Sequence, residues 1–107
     1  MPLREFAVKG LEMKGATVSS SVVSFSSFGF SSSNVTNADQ AVITARTAGV
    51  MVSWDGTDPT ATLGHLIAQN ESMTVIGNQK IQALKLIREA AADADVTITL
   101  EQATYRT

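Results

Sequence analysis

Val96-Thr97-Ile98-Thr99-Leu100-Glu101 alternates without a break. Val96, Ile98 and Leu100 fall on one side of an extended chain, and Thr97, Thr99 and Glu101 on the other. A period of two belongs to a strand with one dry face and one wet face, not to a helix. Working outward, Ala41-Val42-Ile43-Thr44-Ala45-Arg46 and Val50-Met51-Val52-Ser53-Trp54 are also β-rich. In the second run Val50, Val52 and Trp54 share a face, which assigns Trp54 to the core. Met73-Thr74-Val75-Ile76 is short and apolar and stops at Gly77-Asn78. Near the start, Glu5-Phe6-Ala7-Val8-Lys9 puts Phe6 and Val8 together. Turn formers stand between these runs at Gly10, Gly15, Asn34, Asn37, Gly49, Asp55-Gly56, Asp58-Pro59, Gly64 and Gly77. Many short strands with frequent turns predict an all-β fold. We expect a small antiparallel β-sandwich, jelly-roll-like, forming one domain over residues 1–107.

One segment resists that reading. Residues 79–92, Gln79 to Ala92 (QKIQALKLIREAAA), hold good helix formers, and Ile81, Leu84, Ile87 and Ala91 lie three or four apart. Yet Leu84, Leu86 and Arg88 alternate with Lys85 and Ile87, as a strand requires. In the strand reading, residues 83–88 form a hairpin with 96–101 around an alanine- and aspartate-rich turn. Periodicity alone does not arbitrate between them.

Residues 15–38, from Gly15 to Ala38, contain no charged residue. Serines there surround Val18, Val22, Val23, Phe25, Phe28 and Phe30, apolar residues that a disordered serine tract lacks. The plain expectation is a serine-rich strand and its following loop. The sharper one is a neutral surface that another subunit covers, with Phe25, Phe28 and Phe30 as the contact, because exposed strands in monomers are usually decorated with charge.

Composition removes several functions. Eight basic and ten acidic residues give a net charge of −2, so no field draws the chain to nucleic acid. Cysteine is absent and histidine occurs once, which removes disulfides, thiolate metal sites and multi-histidine zinc sites. The opening residues lack the apolar run of a secretory signal, and no stretch approaches the ~20 apolar residues of a membrane span. Both ends, 1–4 and 103–107, are available as arms toward a neighbour. No cofactor or metal is expected.

Individual motifs are weak. Asp55-Gly56-Thr57-Asp58 has two acids of a calcium loop but not the remaining alternating ligands or the closing glutamate. Asp55 and Asp58 read better as turn residues. In that turn Gly56 supplies a positive dihedral, Pro59 fixes the shape and Gly64 lets the chain leave. His65 is the lone imidazole, and no G-x-S-x-G or other nucleophile set accompanies it. Gly10 and Gly15 have Walker spacing, but Ala16 stands where the lysine is needed.

Taken together, Val52-Ser53-Trp54-Asp55-Gly56-Thr57-Asp58-Pro59-Thr60-Ala61-Thr62-Leu63-Gly64-His65 resembles a segment of small tailed-bacteriophage structural proteins. In those proteins a strand ends in a D-G-T-x-P-T-x-T-x-G-H-like loop. The resemblance covers about residues 38–101, including Val75-Ile76-Gly77, Leu84-Lys85-Leu86-Ile87-Arg88 and the closing strand. It leaves the serine-rich third outside. It implies a β-sandwich of the virion with no enzymatic activity and tips 79–92 toward a strand ending near Ile87-Arg88. The expected role is capsid cement or decoration on the capsid surface. The expected partners are the major capsid protein or other virion subunits and further copies of itself, as dimer or trimer. The motif loop of Asp55, Gly56, Asp58, Pro59, Thr60, Gly64 and His65 would then stabilise the fold or a subunit contact. A head–tail or tail-associated location is the first alternative, and a small ligand- or carbohydrate-binding β-domain is the second.

Overall fold

The structure, a computed structural model, describes residues 5–106. Eight strands follow in chain order: β1 (Glu5–Val18), β2 (Val23–Ser24), β3 (Gln40–Ala45), β4 (Val50–Ser53), β5 (His65–Ile67), β6 (Ser72–Ile76), β7 (Lys85–Arg88) and β8 (Ala94–Arg106). A 3₁₀ turn, Phe25–Phe28, and two short helices, α1 (Ser32–Asn37) and α2 (Asn78–Gln82), interrupt them. The molecule is mostly β. One four-stranded sheet runs β1-β8-β3-β6 and the other β2-β7-β4-β5, all pairs antiparallel.

A single apolar core draws on both sheets. Ala41, Ile43 and Ala45 of β3 and Val96, Ile98 and Leu100 of β8 enter it from one side. Val50 and Val52 of β4, Ile67 of β5 and Leu86 of β7 enter from the other. The alternation read from the sequence therefore selects the inward side chains, and burying each large one contributes roughly 1.5–3 kcal/mol.

Three sequence expectations are corrected here. Gly10 and Gly15, read as turns, lie inside β1. The ladder slips once, between Gly10 and Glu12, so Leu11 is the extra residue of a bulge beside a glycine. Residues 79–92 are neither one helix nor one strand. Ile81 and Leu84 are both fully buried at helical spacing, and Leu84 and Leu86 are both buried at strand spacing. The period changes at Ala83, whose backbone (φ −91, ψ 1) ends α2 just before β7 begins. Third, β7 does not form a hairpin with β8. It pairs with β2 and β4, so residues 89–93 carry the chain from one sheet to the other. The ends read as arms divide: residues 1–4 and 107 lie outside the described residues, whereas 103–106 finish β8 against β1.

The serine-rich segment is also corrected. Beyond β1 and β2 it forms the 3₁₀ turn and α1, tied to the rest by side chains of other elements. Glu12 Oε1 accepts from the Ser31 N–H (2.9 Å) and from Asn34 Nδ2 (3.0 Å). These bonds, with Lys14 3.8 Å away, hold the Glu12 carboxyl below its ordinary pKa; the Asn34 amide contributes most. A carboxylate depressed in the folded state adds stability above its unfolded pKa and loses it as pH falls through the folded one. Glu12→Gln should therefore lower the melting temperature near pH 7, with the gap to wild type closing as pH falls below the ordinary glutamate range and through the lowered folded-state value. A gap independent of pH would contradict this origin.

On α2, Asn78 Nδ2 donates to the carbonyls of Val35 (2.7 Å) and Ala38 (2.8 Å), and Asn78 Oδ1 accepts from Gln82 Nε2 (2.6 Å). One amide thus closes the end of α1 onto α2. Asn78→Ala leaves the partly buried Ala38 carbonyl without its donor and the Val35 carbonyl with only the 3.4 Å bond from the Ala38 N–H, and should cost about 1–2 kcal/mol in urea unfolding. Asn78→Asp should do no better, since a carboxylate cannot donate to them.

Candidate functional site

The motif residues gather on the connection between β4 and β5, residues 54–64. The two strands pair antiparallel, with Val52 opposite His65, so the connection starts and ends at neighbouring points. Trp54 and His65 close its base: their rings stack with centroids 4.2 Å apart and planes 10° from parallel. Trp54 is half-buried at the edge of the core rather than inside it, which corrects its assignment as a core residue. It stands beyond the last paired residue of β4, where the facing sheet no longer covers it.

Each turn within the loop has a local cause. Asp55 Oδ1 accepts the Thr57 N–H (2.9 Å) across Gly56, whose φ is +92. That bond, aided by the Thr57 hydroxyl, holds the Asp55 carboxyl below its ordinary pKa. Asp58 Oδ1 accepts from Lys85 Nζ (2.8 Å), which also reaches the Gly56 carbonyl (3.2 Å). Pro59 is fully buried beneath the loop. Thr60 and Leu63 exchange backbone bonds of 2.9 and 3.3 Å, and Thr60 Oγ1 accepts the Leu63 N–H at 3.0 Å. Gly64, at φ +142, returns the chain to β5.

These residues surround an open cleft of about 420 Å³, lined by Ser53, Trp54, Asp58, Leu63 and His65 among others. Its chemistry is one aromatic–imidazole stack, two carboxylates and an exposed leucine. Asp55 is engaged by Thr57 and Asp58 by Lys85, and among the described residues no three acids or histidines gather as metal ligands. The sequence reading overlooked Lys85, which reaches the loop from β7 although distant in the chain, and Thr57, which holds Asp55. Alternation marks Lys85 as outward beside Leu86, but only the pairing of β7 with β4 brings it to the loop.

The phenylalanines fall elsewhere. Phe25 and Phe28 are buried, 4% and 6% exposed, and belong to the core. Phe30 is half-buried and stacks on both, at 5.2 Å and 6.2 Å between centroids. The expected contact patch of Phe25, Phe28 and Phe30 is thus corrected to packing, because the 3₁₀ turn rolls two of the three rings inward. No helix among the described residues is long and apolar enough to cross a membrane. No protein-family model, curated protein or solved structure matches this chain.

Proposed function

We propose that this chain is a non-enzymatic bacteriophage virion protein, a capsid cement or decoration subunit that bridges major capsid subunits, and that its two sheets form a jelly-roll sandwich. The strand pairing carries the reading. β1 meets β8, β2 meets β7, β3 meets β6 and β4 meets β5. A long antiparallel hairpin with the β4–β5 turn at its tip produces those four pairs when it rolls up. The added β8–β3 and β7–β4 contacts then close the two sheets. Rolled hairpins of eight strands recur in viral capsid and lectin domains. That is an analogy of fold, and the phage-like motif loop on β4 and β5 gives it direction. A cement subunit performs no chemistry. It adds buried area at seams, and symmetric repetition multiplies the gain without new kinds of contact.

The expected result is recovery of the chain from purified particles of its source at many copies each, and a rise in head melting temperature when it is added back to heads lacking it. A few copies at one vertex would favour the head–tail alternative, and absence from particles would sink the reading. The cleft favours one second reading, a small ligand- or carbohydrate-binding domain, since a Trp54–His65 stack beside carboxylates suits a sugar ring. That reading requires saturable glycan binding, lost in His65→Ala and Asp58→Ala.

A further inference from the structure

The edges of the two sheets are guarded unequally. β1 carries Lys9 and Lys14 and the bulge at Leu11, whereas β2 has only two residues and β5 three. Charge, bulges and shortness are the usual means by which a free edge is kept from pairing. β6 has none of them. It runs for five residues, Ser72–Ile76, without a charge, a proline or a slip in its register with β3. The direction of its backbone groups follows from the bonds at its two ends. The Gly77 N–H donates to the Asp39 carbonyl (2.8 Å), and the Glu71 carbonyl accepts from the Ala45 N–H (3.1 Å). Along an antiparallel ladder alternate residues exchange both groups with the partner strand. Met73 and Val75 therefore bond to β3, opposite Ile43 and Ala41, while Ser72, Thr74 and Ile76 turn N–H and C=O toward the open side. The Arg46 N–H, next along from Ala45, donates instead to Asp95 (2.9 Å) and so keeps the same alternation on the β8 side. No other backbone group among the described residues bonds to the six groups that face outward from β6.

Charge marks the two ends of this edge. Glu71 and Lys80 are exposed, and neither forms an ion pair among the described residues. Lys80 lays its stem back on Gly77: a Cβ added to that glycine would lie 3.8 Å from Lys80 Cδ and 3.9 Å from Cγ. Glu71 stands at the other end of the strand, roughly 20 Å from Gly77 at ~3.3 Å per residue. The two charges are thus held apart within one copy.

We infer that β6 pairs antiparallel with β6 of a second copy, about a two-fold axis at Thr74, and joins the two β1-β8-β3-β6 sheets edge to edge. The register follows from the outward groups. Centring on Met73 would leave Ile76 unpaired, and centring on Val75 would leave Ser72 unpaired. Centred on Thr74, Thr74 exchanges two bonds with its copy, and Ser72 exchanges two with Ile76 at either end, so all six groups of each copy are used. The same register sets Glu71 opposite Gly77. Directly opposed residues project to one face of a sheet. On that face Lys80 lies against Gly77, so each Glu71 carboxylate meets the Lys80 ammonium of the other copy. Ile76, 68% exposed, gains Ser72 beside it and Thr74 on the diagonal. No like charges stand opposite each other across the joint. An isologous contact of this kind closes at two copies. A joint of five residues is short, so the dimer is weak and depends on concentration. The inference stands on the geometry of the edge and not on the virion reading.

Sedimentation equilibrium and amide hydrogen exchange test it. Wild type should pass from monomer toward dimer between about 10 µM and 1 mM. Over that range the amides of Ser72, Thr74 and Ile76 should slow in exchange. Those of Met73 and Val75, already bonded to β3, should stay protected throughout. Glu71→Lys and Lys80→Glu should each raise the dimer Kd ~5–30-fold, because each change is felt twice. The double exchange Glu71→Lys with Lys80→Glu should restore wild-type affinity. Neither change should alter the melting temperature of the dilute chain by more than about 2 °C, since both side chains are exposed. Met13→Lys, exposed on β1 of the same sheet, should leave dimerisation unchanged. A chain still monomeric at 1 mM, protection of those three amides that ignores concentration, or a double exchange no tighter than either single change would each overturn the inference. Protection that appears only when heads are added would also overturn it and give the edge to a strand of the shell. A monomer that still binds heads removes the dimer and keeps the virion reading; a dimer that ignores heads does the reverse.

Discussion

Phe25→Ala is expected to lose about 3–5 kcal/mol of stability, a large share of the ~5–15 kcal/mol typical of a domain this size. The ring is 4% exposed and sits where three elements meet. Its N–H bonds to the Leu84 carbonyl (2.8 Å), tying the 3₁₀ turn to the end of α2. Its face stacks on Phe30 with planes 14° apart. Removing it leaves a cavity beneath Phe30 and beside the Leu84 backbone that short, hydrogen-bonded turns cannot collapse to fill. Phe30→Ala, at a half-buried site, should cost well under half as much. Urea unfolding measures both: the midpoint of Phe25→Ala should fall sharply with little change in slope. If Phe25→Ala instead kept wild-type stability and lost only binding to heads, the ring would be a contact residue.

That experiment marks where the sequence was readable. Strands with one dry face announced themselves, since Ile43, Val52 and Ile98 are buried at the positions their alternation predicts. Asp55 and Gly64 marked turns through backbone chemistry local to themselves, so their positions were legible too. What failed was anything set by distant neighbours. Gly10 reads as a turn in isolation, and only its pairing with Glu101 shows that it borders a bulge. Leu84 fits two periods at once, and its partners choose between them. Phe25 and Phe28 looked like surface because the serines around them are polar, yet three-residue spacing on a 3₁₀ turn puts both on one side. The cleft was half legible: its loop residues could be named, but Lys85, arriving from β7, required the sheet order.

Gly64→Ala is the second large effect, about 2–3 kcal/mol of lost stability, from two causes that add. At φ +142 the backbone occupies a region that side chains with a Cβ rarely enter. The added carbon would also lie 3.2 Å from the Val52 carbonyl oxygen and 3.4 Å from both the Met51 and Pro59 Cβ atoms. None of these neighbours can readily yield. Val52 belongs to β4, held between β7 and β5, and Pro59 is fully buried. Gly56→Ala separates the causes, for at φ +92 it carries the dihedral strain while its added carbon meets nothing within 4 Å. Gly56→Ala should therefore cost about 1–2 kcal/mol, and the excess at Gly64 measures the crowding. The Gly64 change should also disturb the cleft, because the glycine carries the chain into His65 and so sets the ring against Trp54. A change in Trp54 fluorescence in Gly64→Ala, but not in Gly56→Ala, would report that shift. Equal stability of the two variants would show that β4 and Pro59 give way, and would remove the crowding argument.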